Sequence, residues 1–233
     1  MVPQAPEPGI ESGIAVSLSF RAATWLASVS FLGMPTVFQN FDKATPGTMP
    51  PGWSCMTNQG TPAKWEIVKD TTAPSPPYVF AQVSNEANTF RFPLAIMDKP
   101  MLQNGEISVR VKPVAGKEDQ AGGLVWRFRD ANDYYVARVN ALENNIGIYH
   151  VEGGRWKPLR PRGAADGCIR HSIPSNSWSI LKVVFKGPVF SVYFDHRRVF
   201  QVEDRSYQGS GKVGLWTKAD SITYFDDFRV AQK

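Results

Sequence analysis

Three arginines, Arg127, Arg129 and Arg138, flank a short polar stretch, Asp130-Ala131-Asn132-Asp133, that reads as a hairpin turn. A four-residue loop there sets Arg129 opposite Tyr134, Arg127 opposite Val136 and Val125 opposite Arg138. Arg127, Arg129, Tyr134, Arg138 and Asn140 then share one face of the hairpin. Leu124, Trp126, Phe128, Tyr135, Ala137 and Val139 share the other, which is apolar throughout and reads as core. The first face offers fixed guanidinium and amide donors beside a phenol, a binding surface in composition. It reads equally well as a solvated outer face whose arginine stems cover apolar sheet.

Other chemistries leave little trace. His150, His171 and His196 are scattered and form no transition-metal ligand spacing. Two carboxyls on one strand work together when they sit two residues apart, on the same face, and no acidic-x-acidic pair occurs. The adjacent pairs Glu118-Asp119, Glu203-Asp204 and Asp226-Asp227 point to opposite faces of an extended chain. Gly122-Gly123 and Gly209-Ser210-Gly211 lack phosphate-loop spacing and a following helix, and no GxSxG elbow is present. Cys55 and Cys168 lie far apart; export would permit a disulfide, but their contexts do not bring them together.

The elements that must position these groups are strands. Period-two alternation recurs over 37–42, 65–68, 78–83, 90–96, 106–112, 123–129, 134–140 and 146–151, then over 178–186, 189–195, 198–202, 211–216 and 222–230. No ten-residue window keeps a capped 3.6-residue period; a single turn near 204–207 is the one helical expectation. The 19 Gly and 18 Pro are dispersed among 233 residues, as many tight turns require. With 42% hydrophobic and 20% charged residues the chain can bury a core. These features predict an all-β fold, a two-sheet antiparallel jelly-roll sandwich. The net charge of +5 permits an anionic partner, but no nucleic-acid-binding motif accompanies it, and none is expected to bind. Residues 22–33, AATWLASVSFLG, are too short to span a bilayer and resemble a signal-peptide core, although Glu7 and Glu11 precede them. Residues 1–35 are therefore expected to be a targeting segment and 36–233 an exported domain, periplasmic or extracellular, with no membrane span.

Three stretches carry a family resemblance: KEDQAGGLVWRFRDANDYYVARVNALENN (117–145), GKVGLWTKADSITYFDDFRV (211–230) and NFDKATPGTMPPGW (40–53). Across 38–231 the chain resembles the bacterial exported 3-keto-disaccharide hydrolase-like domains of the concanavalin-A-like lectin/glucanase superfamily. The resemblance implies a carbohydrate ligand, an acidic glycan or an oxidised disaccharide, held on a concave sheet face by Arg127, Arg129, Tyr134, Arg138, Asn140 and Trp156. Trp156 belongs to a loop, 154–162, with four cations (Arg155, Lys157, Arg160 and Arg162), and Arg197 and Arg198 occupy another turn. The glucanases' Glu-x-Asp-x-x-Glu strand is absent. A 3-keto-glycoside needs only one base beside the ketone, for which Glu118, Asp119, Glu143 and His150 are candidates, with Arg127 and Arg138 stabilising the enolate. Glu118 and Asp119 each read singly as solvated turn residues before the Gly-Gly strand. The resemblance also implies a structural calcium where the first and last strands meet, at Asp42, Asp226 and Asp227; Asp227 reads alternatively as an acceptor for loop amides. No other cofactor is expected. A non-catalytic binding module, a glycoside-processing enzyme and a laminin-G-like protein-interaction domain are the alternatives.

Overall fold

The computed structural model describes residues 1, 3, 4, 36–161 and 167–233. The expected targeting segment, apart from residues 1, 3 and 4, and Arg162 lie outside the described residues. The chain divides into two units, Met1–Leu32 and Gly33–Lys233, and the second is the domain described here.

Sixteen strands follow one another among the described residues. They are β1 (Thr36–Gln39), β2 (Trp53–Thr57), β3 (Trp65–Lys69), β4 (Tyr78–Gln82), β5 (Pro93–Met97), β6 (Gly105–Ala115), β7 (Ala121–Asp130) and β8 (Asp133–Asn140). Then come β9 (Asn145–Glu152), β10 (Arg155–Pro158), β11 (Cys168–Arg170), β12 (Ser179–Lys186), β13 (Val189–Phe194), β14 (Arg197–Glu203), β15 (Lys212–Thr217) and β16 (Ile222–Gln232). They form two eight-stranded antiparallel sheets, as the alternation predicts. One runs β14-β13-β12-β6-β16-β4-β3, with β1 added on β16; the other runs β10-β9-β8-β7-β15-β5-β2, with β11 added on β9. The expected turn at 204–207 is not helical. Asp204 accepts the Ser206 amide at 2.9 Å and the Tyr135 hydroxyl, which holds that segment as a bend.

The core lies between the sheets. Trp126 stands edge-on to Phe190 at 5.3 Å, and Trp53 packs against Phe80 and Phe228 at 5.3 and 5.1 Å. Burying each such ring contributes on the order of 2 kcal/mol. Gly122 is required here: a Cβ on it would meet Val111 at 2.6 Å and Thr223 at 2.7 Å on the facing sheet.

The β7–β8 hairpin departs from the expected register. Its tip is a two-residue turn, Ala131-Asn132, closed by Asp130 opposite Asp133, and beyond it a bulge intervenes. Trp126 therefore faces Tyr135 and Gly123 faces Arg138, instead of Val125 facing Arg138. The cause is Arg127, whose φ of 48° breaks the strand and re-aims its neighbours. Leu124, Trp126, Tyr135, Ala137 and Val139 still join the inter-sheet core, but Phe128 moves to the opposite side with Val125, Tyr134 and Val136.

Candidate functional site

Arg127 goes the other way. It is 1% exposed, and its guanidinium lies 5.3 Å from the ring of Phe190, a core residue. It donates to three backbone oxygens: Gln103 at 2.9 Å, Tyr207 at 2.5 Å and Gly187 at 2.5 Å. Arg127 is thus a structural tie between loops, and it does not share a face with Arg138. Arg129 is likewise elsewhere, exposed and lying 4.1 Å over the ring of Tyr207. The face predicted to carry three guanidiniums carries one.

That one anchors a cleft. Alternation along β8 sends Tyr134, Arg138 and Asn140 to the outer side of their sheet. Arg138 lines a cavity of about 420 Å³ together with Phe90, Phe92, Glu143, Trp156 and Lys218. Its Nη1 donates to Asn145 Oδ1 at 2.7 Å, while Nη2 donates to Glu143 Oε2 at 2.6 Å and to the Tyr149 hydroxyl at 3.2 Å. Its Nε has no protein partner among the described residues. Burial works against the Arg138 charge, but Tyr149 and Glu143 outweigh it and push the guanidinium pKa up. Burial likewise raises Glu143, and the Arg138 charge and hydrogen bond reverse this, leaving its carboxyl below the usual range. Glu143 is an ionised acceptor clamped to a fixed cation.

Asn140 builds the turn that presents Glu143. Its Oδ1 accepts the Leu142 and Glu143 amides at 3.0 and 3.3 Å, and its Nδ2 donates to Asp119 at 2.6 Å. Asp119, 2% exposed, also pairs with Lys218 at 2.8 Å and so steadies the second cation of the cleft.

The apolar wall is an aromatic stack. Trp156, on β10, lies 3.8 Å from the Tyr149 centroid, 5.2 Å from Phe92 and 5.3 Å from Trp216. It is half-buried rather than displayed on a loop, because 155–158 pairs with β9 as a strand. Phe90 at the rim is 70% exposed. Tyr134 is fully buried along the same outer face, and burial raises its pKa. Cys168 enters from β11, its Sγ 2.7 Å from the Tyr149 hydroxyl. Cys55 is exposed on β2, in another part of the sheet.

Of the candidate bases, only Glu143 reaches the cleft. His150 faces the sandwich interior, its ring 4.4 Å from Tyr207 and 5.2 Å from Tyr135, and burial lowers its pKa. Glu118 is exposed in a turn whose amides, at 117, 118 and 119, wrap the Asp220 carboxylate. Phe92, Asn145, Tyr149 and Lys218 were not singled out by sequence reasoning. Tyr149 had a signal, since alternation in 146–151 places it two residues from Gly147, which pairs with Arg138. Asn145 opens the same strand two residues after Glu143, whereas Phe92 and Lys218 come from segments remote in sequence and had none.

The expected calcium residues are gathered where β1 meets β16, but as hydrogen-bond acceptors. Asp226 Oδ2 accepts the Ser75 amide at 2.8 Å and Oδ1 the Asp227 amide at 2.7 Å, while Asp227 Oδ1 accepts the Ser75 hydroxyl at 2.9 Å. Asp42 Oδ2 takes the Asn40 amide at 2.5 Å, and its Oδ1 is buried with no partner. Among the described residues no three His, Cys, Asp or Glu side chains are arranged to hold a metal ion. No described helix is long and apolar enough to cross a membrane.

No protein-family model matches the chain, and no curated protein matches it in sequence. Solved structures do match it in fold. The carbohydrate-binding module CBM66 from Bacillus subtilis superposes with a TM-score of 0.57 at 21% identity, over 76% of this chain and 94% of that one. A Bacillus licheniformis β-glucanase gives 0.54 at 10% identity, over 85% and 98%. A Bacillus subtilis protein of unknown function with a galectin-like fold gives 0.53 at 11% identity, over 77% and 89%. The domain is an all-β jelly-roll sandwich of the kind that galectin-like and glucanase structures share.

Proposed function

We propose that the protein binds carbohydrate in the cleft floored by Arg138 and walled by Trp156 and Phe90. The carrying observation is a buried guanidinium, fixed by three side chains, set among aromatic rings and one ionised carboxylate. A pyranose presents apolar C–H faces to rings and hydroxyls that both donate and accept. Exposed Phe90 and half-buried Trp156 suit the first; Arg138, Lys218 and Glu143 suit the second. The volume lies within the roughly 300–1,000 Å³ typical of small-molecule pockets. Two cations, Arg138 and Lys218, face two carboxylates, Glu143 and Asp119, so the balance supports a neutral sugar over an acidic one. The shared fold with a carbohydrate-binding module adds support. The apolar run at 22–33 supports an exported location, where such a ligand would be met.

Glu143 supports a second reading, 3-keto-disaccharide cleavage. Its carboxylate would take the proton beside the ketone; those electrons form the ring double bond, and the glycosidic C–O pair leaves with the oxygen, which is protonated by Lys218 or solvent. Efficient bases have pKa values near the working pH, whereas Arg138 holds Glu143 below its ordinary value. Binding is therefore the better-supported reading.

Tryptophan fluorescence titration against neutral oligosaccharides tests it. Trp156→Ala and Arg138→Gln should each weaken binding at least about tenfold, the loss of one good contact. Wild-type affinity in both variants overturns the assignment. Release of free sugar from a 3-keto-disaccharide, abolished by Glu143→Gln, would establish the second reading instead.

A further inference from the structure

The outer face of the other sheet carries a second cleft, of about 250 Å³, far from Arg138 in the fold. Strand register sets Tyr193, Lys182, Ser108, Arg229 and Phe38 side by side across β13, β12, β6, β16 and β1. Ser108 is the small residue in the middle of this row, and its size opens the floor. Lys182 Nζ lies 4.6 Å over the Tyr193 ring, and the Arg229 guanidinium 3.9 Å over Phe38. Arg110 enters from the next row of β6.

The charges are unbalanced. Glu106 is already engaged, by Lys182 at 3.5 Å and Lys233 at 2.6 Å, and Asp227 accepts the Ser75 hydroxyl. Arg110 and Arg229 have no carboxylate within ion-pair distance among the described residues, and with Lys182 and Lys233 they outnumber Glu106 and Asp227, so the cleft carries a net positive charge. Such a surface focuses positive potential and recruits anions. We propose that this cleft binds a polyanionic glycan, a chain carrying sulfate or phosphate esters, with Arg110, Arg229 and Lys182 as its contacts. Planar guanidiniums pair tetrahedral oxyanions bidentately. Lys182 and Arg229 stand two strand spacings apart, about 10 Å, so successive groups on one chain can reach both where a single small anion cannot.

The same geometry argues against other anionic partners. Nucleic-acid bases need bare ring faces for stacking, and both Tyr193 and Phe38 are capped by a cation. A bilayer favours apolar groups that insert, and Phe38 beneath Arg229 is the one large exposed apolar side chain here. The inference is independent of the sugar cleft on the other sheet.

Retention on immobilised dextran sulfate, over a series of salt concentrations, is the test, with neutral dextran as the blank and polyphosphate as competitor to separate sulfate from phosphate preference. The wild type should be retained, with affinity falling linearly in log salt. Arg110→Gln/Arg229→Gln should bind at least about tenfold more weakly, with a salt slope smaller by about two. Arg155→Gln/Arg170→Gln, with the same charge change elsewhere, and Trp156→Ala should stay within about twofold of wild type. Ser108→Phe, which fills the floor without altering charge, should also lose binding. Equal losses in the two double variants would reduce the effect to bulk charge and overturn the site. Wild-type retention by Arg110→Gln/Arg229→Gln, or tighter binding to DNA or anionic vesicles than to dextran sulfate, would overturn it too.

Discussion

Replacing Arg127 by Met separates the structural arginine from the binding one. Met keeps the length and apolar stem but removes every donor. Three carbonyls, one on buried Tyr207, one on half-buried Gly187 and one on exposed Gln103, then lose charged partners, each bond being worth about 1.5–3 kcal/mol. Part of that returns, because burial of the guanidinium is itself unfavourable and lowers its pKa. Arg127 also holds φ at 48°, a left-handed conformation costing about 1–2 kcal/mol for a residue with a Cβ, which Met inherits without the bonds that enforce it. The net loss is about 3–5 kcal/mol, the usual cost of breaking a buried charged network. For a domain of this size each kcal/mol moves the melting temperature by about 2–4 °C, giving a fall of roughly 6–20 °C. Circular dichroism melting reads this, and the sugar titration, run well below the lowered transition, should return wild-type affinity. A fall under about 2 °C, or lost sugar binding in folded protein, would show that the guanidinium does not tie these loops or that it does reach the cleft.

Gly211 lets the bulge form: a Cβ there would lie 2.4 Å from the carbonyl carbon of Arg127 and 2.5 Å from its Cα, backbone atoms with nowhere to move. Gly211→Ala should cost about 1–3 kcal/mol by thermal melting, and less than additively with Arg127→Met because both release the same bulge; full additivity would uncouple them. Burial, helped by Asp227 and Asp42 and resisted by the Ser75 and Asp227 amides, pushes the Asp226 pKa up to about 7. The folded state then holds a proton that the unfolded state has released. Stability should fall by about 1.4 kcal/mol per pH unit as pH rises from about 4 to about 7, then level off. His150, kept neutral by burial, has the opposite slope below its ordinary value of 6.5, so the Asp226 slope is cleanest in a His150→Phe background. A pH–melting profile that is flat there from 5 to 7 would place Asp226 in a wetter setting. Calcium chloride should leave the profile unchanged, and a rise in melting temperature at pH 8 would restore the ion site.

How far the sequence speaks depends on whether a feature is local. Alternation in stretches such as 146–151 and 222–230 records one buried and one wet face residue by residue, so the sandwich is legible without knowing which strand neighbours which. The hairpin face was read on the same rule, and the rule holds until Arg127. There a single left-handed residue exchanges the destinations of Arg127 and Phe128, and no local sign marks it: the position is not Gly or Asn, and the companion that makes it feasible, Gly211, lies far along the chain, just before β15. A period-two argument therefore fails wherever tertiary contacts support a φ that the residue type does not announce. Arg138, Glu143 and Trp156 were legible because the first two belong to one hairpin and its following turn, and Trp156 to the strand beside it. Phe92 and Lys218 enter through the β15–β5 pairing and the turn after β15, a strand order that crosses the whole chain. The second cleft was hidden for the same reason. Arg110, Lys182 and Arg229 are unremarkable outward cations on three strands, and only the β12-β6-β16 order turns them into neighbours around Ser108. If that order is what creates the charge imbalance, moving one cation along the same face should weaken polyanion binding even with the net charge kept. Arg229→Ala with Ala231→Arg shifts the guanidinium to the next outward position of β16, beside Glu106, where it gains a carboxylate. Binding should then fall despite an unchanged net charge, and retention at the wild-type level would show that total charge, not placement, sets the affinity.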